Sequence, residues 1–259
     1  MATLDKEEFA LHFPDETADS LDQDQEWVEI EKDGERRRLR LHDYAEIYKI
    51  PGLYEQLFSD RLDCDSPRTV CDLLSVELHE AGADPADLTV LDFGAGNGLV
   101  GEQLQELGVG DIVGVDLLPE ARDAAQRDRP TVYEDYYALD LTALKPDERE
   151  DLEQHECNVL ACVAALGFGD VPTVAFAEAF NFVTSPGWIA FNLRDRFFED
   201  KDPAGFGGLL KRMFREGMLE ECARVRYRHR DSVDGEPLHY LAVVAKKHAD
   251  VPMNWATAA

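Results

Sequence analysis

The residues whose types and spacing could do chemistry lie in the segment 89–98, TVLDFGAGNG. Its apolar start predicts a short buried strand, and Gly94, Gly96 and Gly98 follow at every second position before a helical pattern begins. Glycines in a strand-to-helix turn let a ligand approach the backbone closely. Asp92 lies two residues before the first glycine, so the turn combines bare backbone with a carboxylate.

A second carboxylate, Asp116, ends the next predicted strand, eighteen residues after Gly98. At this place a carboxylate can accept both hydroxyls of an adenosine ribose. A dinucleotide site would use the same acid, and Gly96, Gly98 and Gly101 match the G-x-G-x-x-G pattern. That alternative leaves Asp92 without a role and sets acids against a pyrophosphate. The pattern therefore favours a ligand without phosphate.

With these residues the sequence resembles the class I S-adenosylmethionine-dependent methyltransferases, over residues 43–247. The D-x-G-x-G-x-G motif and the ribose acid of that family are matched by Asp92, Gly94, Gly96, Gly98 and Asp116. The chemistry agrees, because S-adenosylmethionine carries a sulfonium cation, an amino group and a ribose diol but no phosphate. The resemblance implies an enzyme that uses this cofactor, with a helical cap ahead of its core.

The resemblance also implies further cofactor contacts. In the family the residue after the ribose acid packs on adenine, and an acid after the third strand contacts the adenine amino group; Leu117 and Asp140 match these places. A helix cap ahead of Thr142 is the alternative role for Asp140. The expected cofactor-binding residues are Tyr44, Asp92, Gly94, Ala95, Gly96, Asn97, Gly98, Asp116, Leu117, Asp140, Leu141 and Cys162.

Three residues are expected to face the substrate: Tyr48, Arg194 and Arg196. The arginines follow the fifth predicted strand, at the carboxyl edge where open α/β sheets bind ligands. Tyr44 and Tyr48 share a helix face, so packing against the core is the alternative for both. Asn158 replaces an acid that commonly precedes the fourth strand in the family. No His, Asp or Glu set has metal-ligand spacing, and no catalytic base is identified.

Alternating strand and helix patterns predict an α/β fold, a Rossmann-like, mostly parallel sheet of seven strands with an antiparallel last strand, plus an N-terminal cap. The predicted strands cover 88–92, 111–116, 131–137, 158–163, 188–193, 223–230 and 238–246. The predicted helices cover 66–81, 98–107, 119–127, 146–154, 173–183 and 206–218.

The pattern divides the chain into four parts. Residues 1–42 form an acidic arm with a small hairpin that turns at Asp33-Gly34, and residues 43–85 form a helical cap interrupted at Pro51-Gly52. Residues 86–248 form the cofactor-binding core, and residues 249–259 form a tail.

The composition of the chain indicates which classes of partner it can bind. The 259 residues include 54 acids against 26 Lys and Arg, a formal charge of −28, and 44% are hydrophobic, which suits a packed core. Such a negative field opposes binding to nucleic acid or to anionic lipid. No apolar run is long enough to span a membrane, the N-terminus lacks a secretion signal, and five scattered cysteines fit no disulfide scaffold. We expect a cytoplasmic protein.

Four arginines, Arg224, Arg226, Arg228 and Arg230, alternate along the predicted strand 223–230. The alternation predicts that all four lie on one face. A charged edge strand that resists aggregation is favoured over an anion-binding stripe.

These observations predict methyl transfer to an O or N atom of a small molecule. A protein methyltransferase and a non-catalytic module that binds S-adenosylmethionine are the alternatives, and a nicotinamide-dependent oxidoreductase would need the other glycine register. The acceptor and the oligomeric state are not specified by the sequence.

Overall fold

The computed structural model describes residues 9–14, 23–32, 34–166, 171–195 and 205–257. The N-terminal part contains an antiparallel sheet of three strands, where a hairpin of two was predicted. The strands are β1 (Ala10–His12), β2 (Trp27–Lys32) and β3 (Glu35–Arg40), with a short 3₁₀ turn (Gln23–Gln25) before β2. Strand β1 pairs with β2 on the side away from β3, which extends the predicted hairpin.

Two short helices follow this sheet, α1 (Tyr44–Tyr48) and a π-helix (Glu55–Arg61). The predicted interruption at Pro51-Gly52 lies between them. Their apolar side chains and those of the small sheet form one buried cluster, which includes Val28, Leu41 and Leu57. We call the described residues up to 64 the cap.

The main sheet has seven strands in the order β6-β5-β4-β7-β8-β10-β9. They are β4 (Thr89–Phe93), β5 (Asp111–Asp116), β6 (Asp135–Ala138), β7 (Val159–Cys162), β8 (Gly187–Arg194), β9 (Leu219–Asp231) and β10 (Pro237–Lys247). Strands β4 to β8 are parallel, and the last strand, β10, is antiparallel to both of its neighbours. The predicted fold class is confirmed.

Helices cover both faces of this sheet. They are α2 (Ser66–Glu80), α3 (Leu99–Leu107), α4 (Pro119–Asp128), α5 (Pro146–Glu153), α6 (Thr173–Phe182), α7 (Phe206–Arg215) and α8 (Met253–Ala256), with a 3₁₀ turn (Pro85–Asp87) before β4. Alternate strand residues enter different cores: Val90 packs with α2 and α3, and Leu91 packs with α6 and α7. A strand covered on both sides is apolar throughout, as β4 is.

Strand β9 begins at Leu219, four residues before the predicted 223, and two further elements differ from the structure by three or more residues. Strand β6 begins at Asp135 rather than at 131, because the chain at Val132 and Tyr133 turns to pack against α3 at Gly101. Helix α7 ends at Arg215 rather than at 218, since Gly217 has a positive φ of 75° that ends the helical path. Both differences lie at element ends.

Strand β4 lies in the middle of the sheet: β5 and β6 follow on one side of it, and β7 and β8 on the other. The strand order therefore reverses at β4, and in open α/β sheets ligands bind outside the carboxyl ends of the strands at such a point. Within the described part of the chain, no helix is long and apolar enough to cross a bilayer.

Candidate functional site

A cavity of about 450 Å³ lies between the cap and the carboxyl ends of β4, β5, β6 and β7. Of the expected cofactor-binding residues, those that line it are Tyr44, Gly94, Ala95, Gly96, Asn97, Asp116, Leu117, Asp140 and Leu141. Tyr48, expected to face the substrate, lines the cavity as well. The structure thus brings together residues from four segments of the sequence.

The floor of the cavity is the turn between β4 and α3. Gly94 and Gly96 have positive φ angles of 76° and 55°, a conformation that other L-residues adopt only with strain. A Cβ atom on Gly96 would lie 2.5 Å from the hydroxyl oxygen of Tyr48. Gly96 therefore has two roles: it permits the turn, and it leaves room for Tyr48 of the cap to contact the loop.

Asp116 holds the same turn from the neighbouring strand. Its Oδ2 accepts the backbone N–H of Gly96 at 3.0 Å, and its Oδ1 accepts that of Leu118 at 2.9 Å. Burial raises the pKa of Asp116, while the N–H groups of Leu118 and Gly96 oppose that rise. A carboxylate has about four lone-pair positions, so both oxygens keep capacity for a ligand diol.

Apolar and acidic groups complete the wall beside Asp116. The side chain of Leu117 is 59% exposed, which leaves an apolar surface free at the cavity edge. Oδ1 of Asp140 accepts both the N–H and the hydroxyl of Thr142, at 2.9 and 2.7 Å, and these bonds lower the pKa of Asp140. Asp140 therefore caps a turn at residues 140–143, not the helix that was the alternative, since α5 begins only at Pro146; it also borders the cavity.

Three expected contacts are not among the described residues that line the cavity: Asp92, Gly98 and Cys162. Asp92 shares the strand face of Val90, so its side chain points into the core under α2 and α3. Gly98 faces Tyr133 and Arg129, and the Cys162 side chain is fully buried in the core under α6. Strand alternation turns the side chains of Asp92 and Cys162 into the cores on the two faces of the sheet, whereas Gly98 lies in the turn and faces away from the cavity.

Only one of the two oxygens of the buried Asp92 carboxyl has a hydrogen-bond partner. Its Oδ2 accepts the hydroxyl of Tyr133 at 2.8 Å, whereas Oδ1 has no hydrogen-bond partner. Burial raises the pKa of Asp92 to about 7, and the charge of Asp116 adds to the rise. A cation bound above the loop would favour the ionised form of this acid.

Of the expected substrate arginines, Arg194 does not line the cavity. Nη1 of Arg194 donates to Oε1 of Gln23 at 3.1 Å, which directs this side chain to the cap beyond the cavity wall. Arg196 lies outside the described residues. Asn158 is remote as well, since its side chain bonds the backbone of Thr89 and Asp87 at the opposite end of the sheet.

Aromatic rings from the cap roof the cavity. Tyr48 stacks between Tyr44 and Tyr54, with ring centroids 6.1 and 5.2 Å away, and Phe58 lies 4.6 Å from Tyr54. Burial raises the pKa of Tyr48 well above its usual value, and the charge of Asp116 contributes. Tyr48 therefore lies at the Gly96 and Asp116 side of the roof and stays protonated.

An ion-pair cluster fastens the cap to the glycine turn. Oε1 of Glu55 accepts from Nδ2 of Asn97 and from Nη1 of Arg129, both at 2.9 Å. Arg129 also donates to the Asn97 carbonyl and to Glu102, each at 3.1 Å. Burial alone would lower the pKa of Arg129, but its bond to Glu55 and the charges of Glu55 and Glu102 raise it.

Sequence reasoning missed Glu55 and Arg129. The two residues are 74 positions apart, and nothing in the local patterns around them predicts their contact. Only the docked position of the π-helix on the loop before α3 brings them together.

The charged residues around the cavity favour a ligand that carries positive charge. Among the described lining residues the formally charged ones are Asp43, Glu46, Asp116 and Asp140, and none is a lysine or arginine. Asp43 and Glu46 are ion-paired at the rim, so Asp116 is the acid that faces the interior. A pyrophosphate would find no cationic partner here, whereas the ribose diol and positive charges of S-adenosylmethionine fit this set.

Comparison with known proteins gives one family and a set of similar folds. A family model described as a methyltransferase domain matches residues 65–242. Comparison with curated protein sequences finds no match.

Three solved structures have folds similar to that of this chain. A Pyrococcus horikoshii protein named as a candidate RNA methyltransferase is 15% identical, with a TM-score of 0.51 over 72% of this chain and 88% of its own. An S-adenosylmethionine-dependent methyltransferase from Clostridium acetobutylicum is 11% identical, with a TM-score of 0.50 over 76% and 97%. A Thermoplasma acidophilum protein is 15% identical, with a TM-score of 0.50 over 70% and 86%. At these identities the likeness shows the fold.

Proposed function

Because this chain belongs to the methyltransferase-domain family and is a class I S-adenosylmethionine-dependent methyltransferase, we propose that it methylates an O or N atom of a small molecule enclosed beneath the cap. The observation that carries the proposal is the cavity of about 450 Å³ under the cap, with Asp116 in its wall. This volume is in the usual range for small-molecule sites.

In this proposal Asp116 accepts the ribose hydroxyls, Leu117 packs on the adenine, and Asp140 accepts from its amino group. The backbone of Gly94, Ala95, Gly96 and Asn97 lies against the methionine end, with Leu141 in the wall beside the adenine. Asp92 lies beneath the loop and acts on the cofactor through its electrostatic field rather than by direct contact. S-adenosylmethionine, when bound, supplies a methyl group made electrophilic by the sulfonium charge.

The chain's own part in methyl transfer is to orient and to exclude water. The roof formed by Tyr44, Tyr48, Tyr54 and Phe58 covers the cavity, and its ring faces favour a nearby cation. Holding the two reactants in line in a site closed to water removes much of the barrier of a bimolecular displacement. No residue is required to form a covalent bond.

A small acceptor is favoured over nucleic acid or protein. The formal charge of −28 opposes binding to phosphate backbones, and the cap covers the edge of the sheet where a long polymer would have to lie. A protein methyltransferase and a non-catalytic binding module remain the alternatives to be tested.

We also propose domain limits that follow packing. Helix α2 packs on the main sheet with α3, and α8 is bonded to α6 through Thr173 and Ala256, so both belong with the core. The core then runs from about residue 65 to 257, and the described residues before it form the cap. This moves the expected boundaries at 85 and 248 outward.

The test is methyl transfer from S-adenosylmethionine radiolabelled on its methyl group. Separate small-molecule, protein and RNA fractions of a cell extract are incubated with the purified enzyme. We expect label in the small-molecule fraction, reduced in Asp116→Ala and unchanged in Asp111→Ala, which alters an exposed acid at the far end of the same strand. Label confined to protein or RNA would contradict the proposed acceptor, and binding without any transfer would support a non-catalytic module.

A further inference from the structure

A small polar recess opens beside the cavity, on the side of the cap away from Asp116. It has a volume of about 40 Å³, and its polar wall is formed by Gln23, His229, Arg230 and Tyr240. It shares Tyr44 and Ala164 with the main cavity, so the two spaces adjoin. Since one water takes about 30 Å³ of liquid, the recess has room for a group the size of a carboxylate.

The imidazole of His229 is fixed by a buried network. Its Nδ1 is hydrogen-bonded to the Ser66 hydroxyl at 2.5 Å, and Ser66 is bonded in turn to Tyr227 and Asn192. Oδ1 of Asn192 accepts the backbone N–H of Ala164, which ties the network to the segment after β7. Within the described chain Nε2 of His229 has no hydrogen-bond partner.

Tyr240, whose ring centroid lies 4.1 Å from that of His229, offers a hydroxyl donor. Nε2 of Gln23 donates to the Tyr240 hydroxyl at 3.0 Å, and Oε1 of Gln23 accepts from Arg194. No described residue accepts the proton of the Tyr240 hydroxyl. Burial raises the pKa of Tyr240, so the phenol keeps that proton as a donor.

The field in the recess is positive although the chain as a whole is strongly acidic. Arg230 is buried and paired with Glu26. Burial lowers the pKa of His229 far below its usual value, and the charges of Arg230 and Arg194 lower it further. The imidazole is therefore neutral, and the charges of Arg194 and of Arg230, the latter partly offset by Glu26, favour an anion in the recess.

Resting on the proposed function, we propose that this recess binds a carboxylate of the methyl acceptor, with the Tyr240 hydroxyl and the Arg230 charge as its partners. The carboxylate is a recognition group that anchors the acceptor, while the rest of the molecule extends along the aromatic roof toward the main cavity. The acceptor class is thus a small organic acid. The other source of a carboxylate is the methionine part of the cofactor, and the experiment separates the two.

The probes are benzoate and its neutral counterpart benzamide, followed by ligand-detected NMR on the complex with S-adenosylhomocysteine. We expect benzoate to bind at least about tenfold more tightly than benzamide, as is typical of a hydrogen bond to a charged group. Tyr240→Phe should weaken benzoate by about tenfold and leave the affinity for S-adenosylhomocysteine unchanged. Tyr137→Phe, which removes a hydroxyl bonded to His155 outside the cavity, is the matched control and should change neither.

Equal or absent binding of the two probes to the wild-type complex would overturn the proposal, whether or not the variant folds. A loss of S-adenosylhomocysteine affinity in Tyr240→Phe, with 5′-methylthioadenosine unaffected, would also overturn it, because the recess would then hold the cofactor's own carboxylate. Failure of the wild-type protein to bind S-adenosylhomocysteine at all would overturn the proposed function itself.

Discussion

Replacing Glu55 with Gln removes the charge that joins the cap to the glycine turn. Oε1 of Glu55 receives two hydrogen bonds at 2.9 Å, from Asn97 and from Arg129, and both carboxylate and guanidinium are nearly buried, with 11% and 8% of their side chains exposed. Hydrogen bonds to charged groups contribute about 1.5–3 kcal/mol. Arg129 keeps its hydrogen bonds to Glu102 and to the Asn97 carbonyl in the variant. We therefore expect Glu55→Gln to lower the free energy of unfolding by about 1.5–3 kcal/mol.

The assay is urea unfolding of the wild-type protein, Glu55→Gln and the control Glu46→Gln. Glu46 lies in the same cap and pairs with Arg37 and Lys49, but these pairs are exposed and are worth little. The difference between the two variants therefore measures burial of the ion pair rather than loss of a glutamate. Equal effects of the two substitutions would refute the reasoning.

A second readout follows from the position of the pair. If the cap must be docked for the cavity to close, a variant that undocks it in part binds S-adenosylhomocysteine more weakly by the fraction of closed molecules. Glu55→Gln should therefore weaken binding as well as stability, whereas Glu46→Gln should change binding little. If Glu55→Gln is destabilised but binds S-adenosylhomocysteine with unchanged affinity, cap docking is not required for ligand binding.

Two further predictions concern the glycine turn and the acid beneath it. Gly96→Ala should destabilise the fold by about 1–3 kcal/mol more than Gly108→Ala, as measured by thermal unfolding. Both glycines have a positive φ, but only a Cβ atom on Gly96 would meet Tyr48. The second substitution Tyr48→Phe should therefore partly restore the stability of Gly96→Ala. Asp92 has a folded-state pKa of about 7 against 3.8 unfolded, so its contribution to stability falls as pH rises from 4 to 8. The stability of the wild type relative to Asp92→Asn should fall by up to about 4 kcal/mol over that range, and a constant difference would contradict the burial of the charge.

The parts of the fold that the sequence predicts are those encoded locally. Alternating strand and helix patterns, three glycines after a buried strand, and an acid at the end of the next strand are each readable within a few residues. The confirmed strand direction of β10 follows from the short turn at Asp234-Gly235, which joins neighbours only in the antiparallel sense.

Contacts between distant segments could not be predicted in this way. The alternation of four arginines holds in strand β9 for Arg224, Arg226 and Arg228, which are exposed at the sheet edge as expected. It fails at Arg230, because a bulge adds His229 between the residues that pair with Leu238 and His239. The extra residue turns both His229 and Arg230 inward, where they line the recess.

The central claim is tested most directly by calorimetric titration of the wild-type protein and Asp116→Ala with S-adenosylmethionine, S-adenosylhomocysteine and NADH. The wild type should bind the two sulfur ligands and not NADH. Asp116→Ala should weaken the sulfur ligands by about tenfold or more, as loss of charge-assisted hydrogen bonds predicts, while Asp111→Ala retains wild-type affinity. Binding of NADH without the sulfur ligands, or full affinity in Asp116→Ala, would contradict the account.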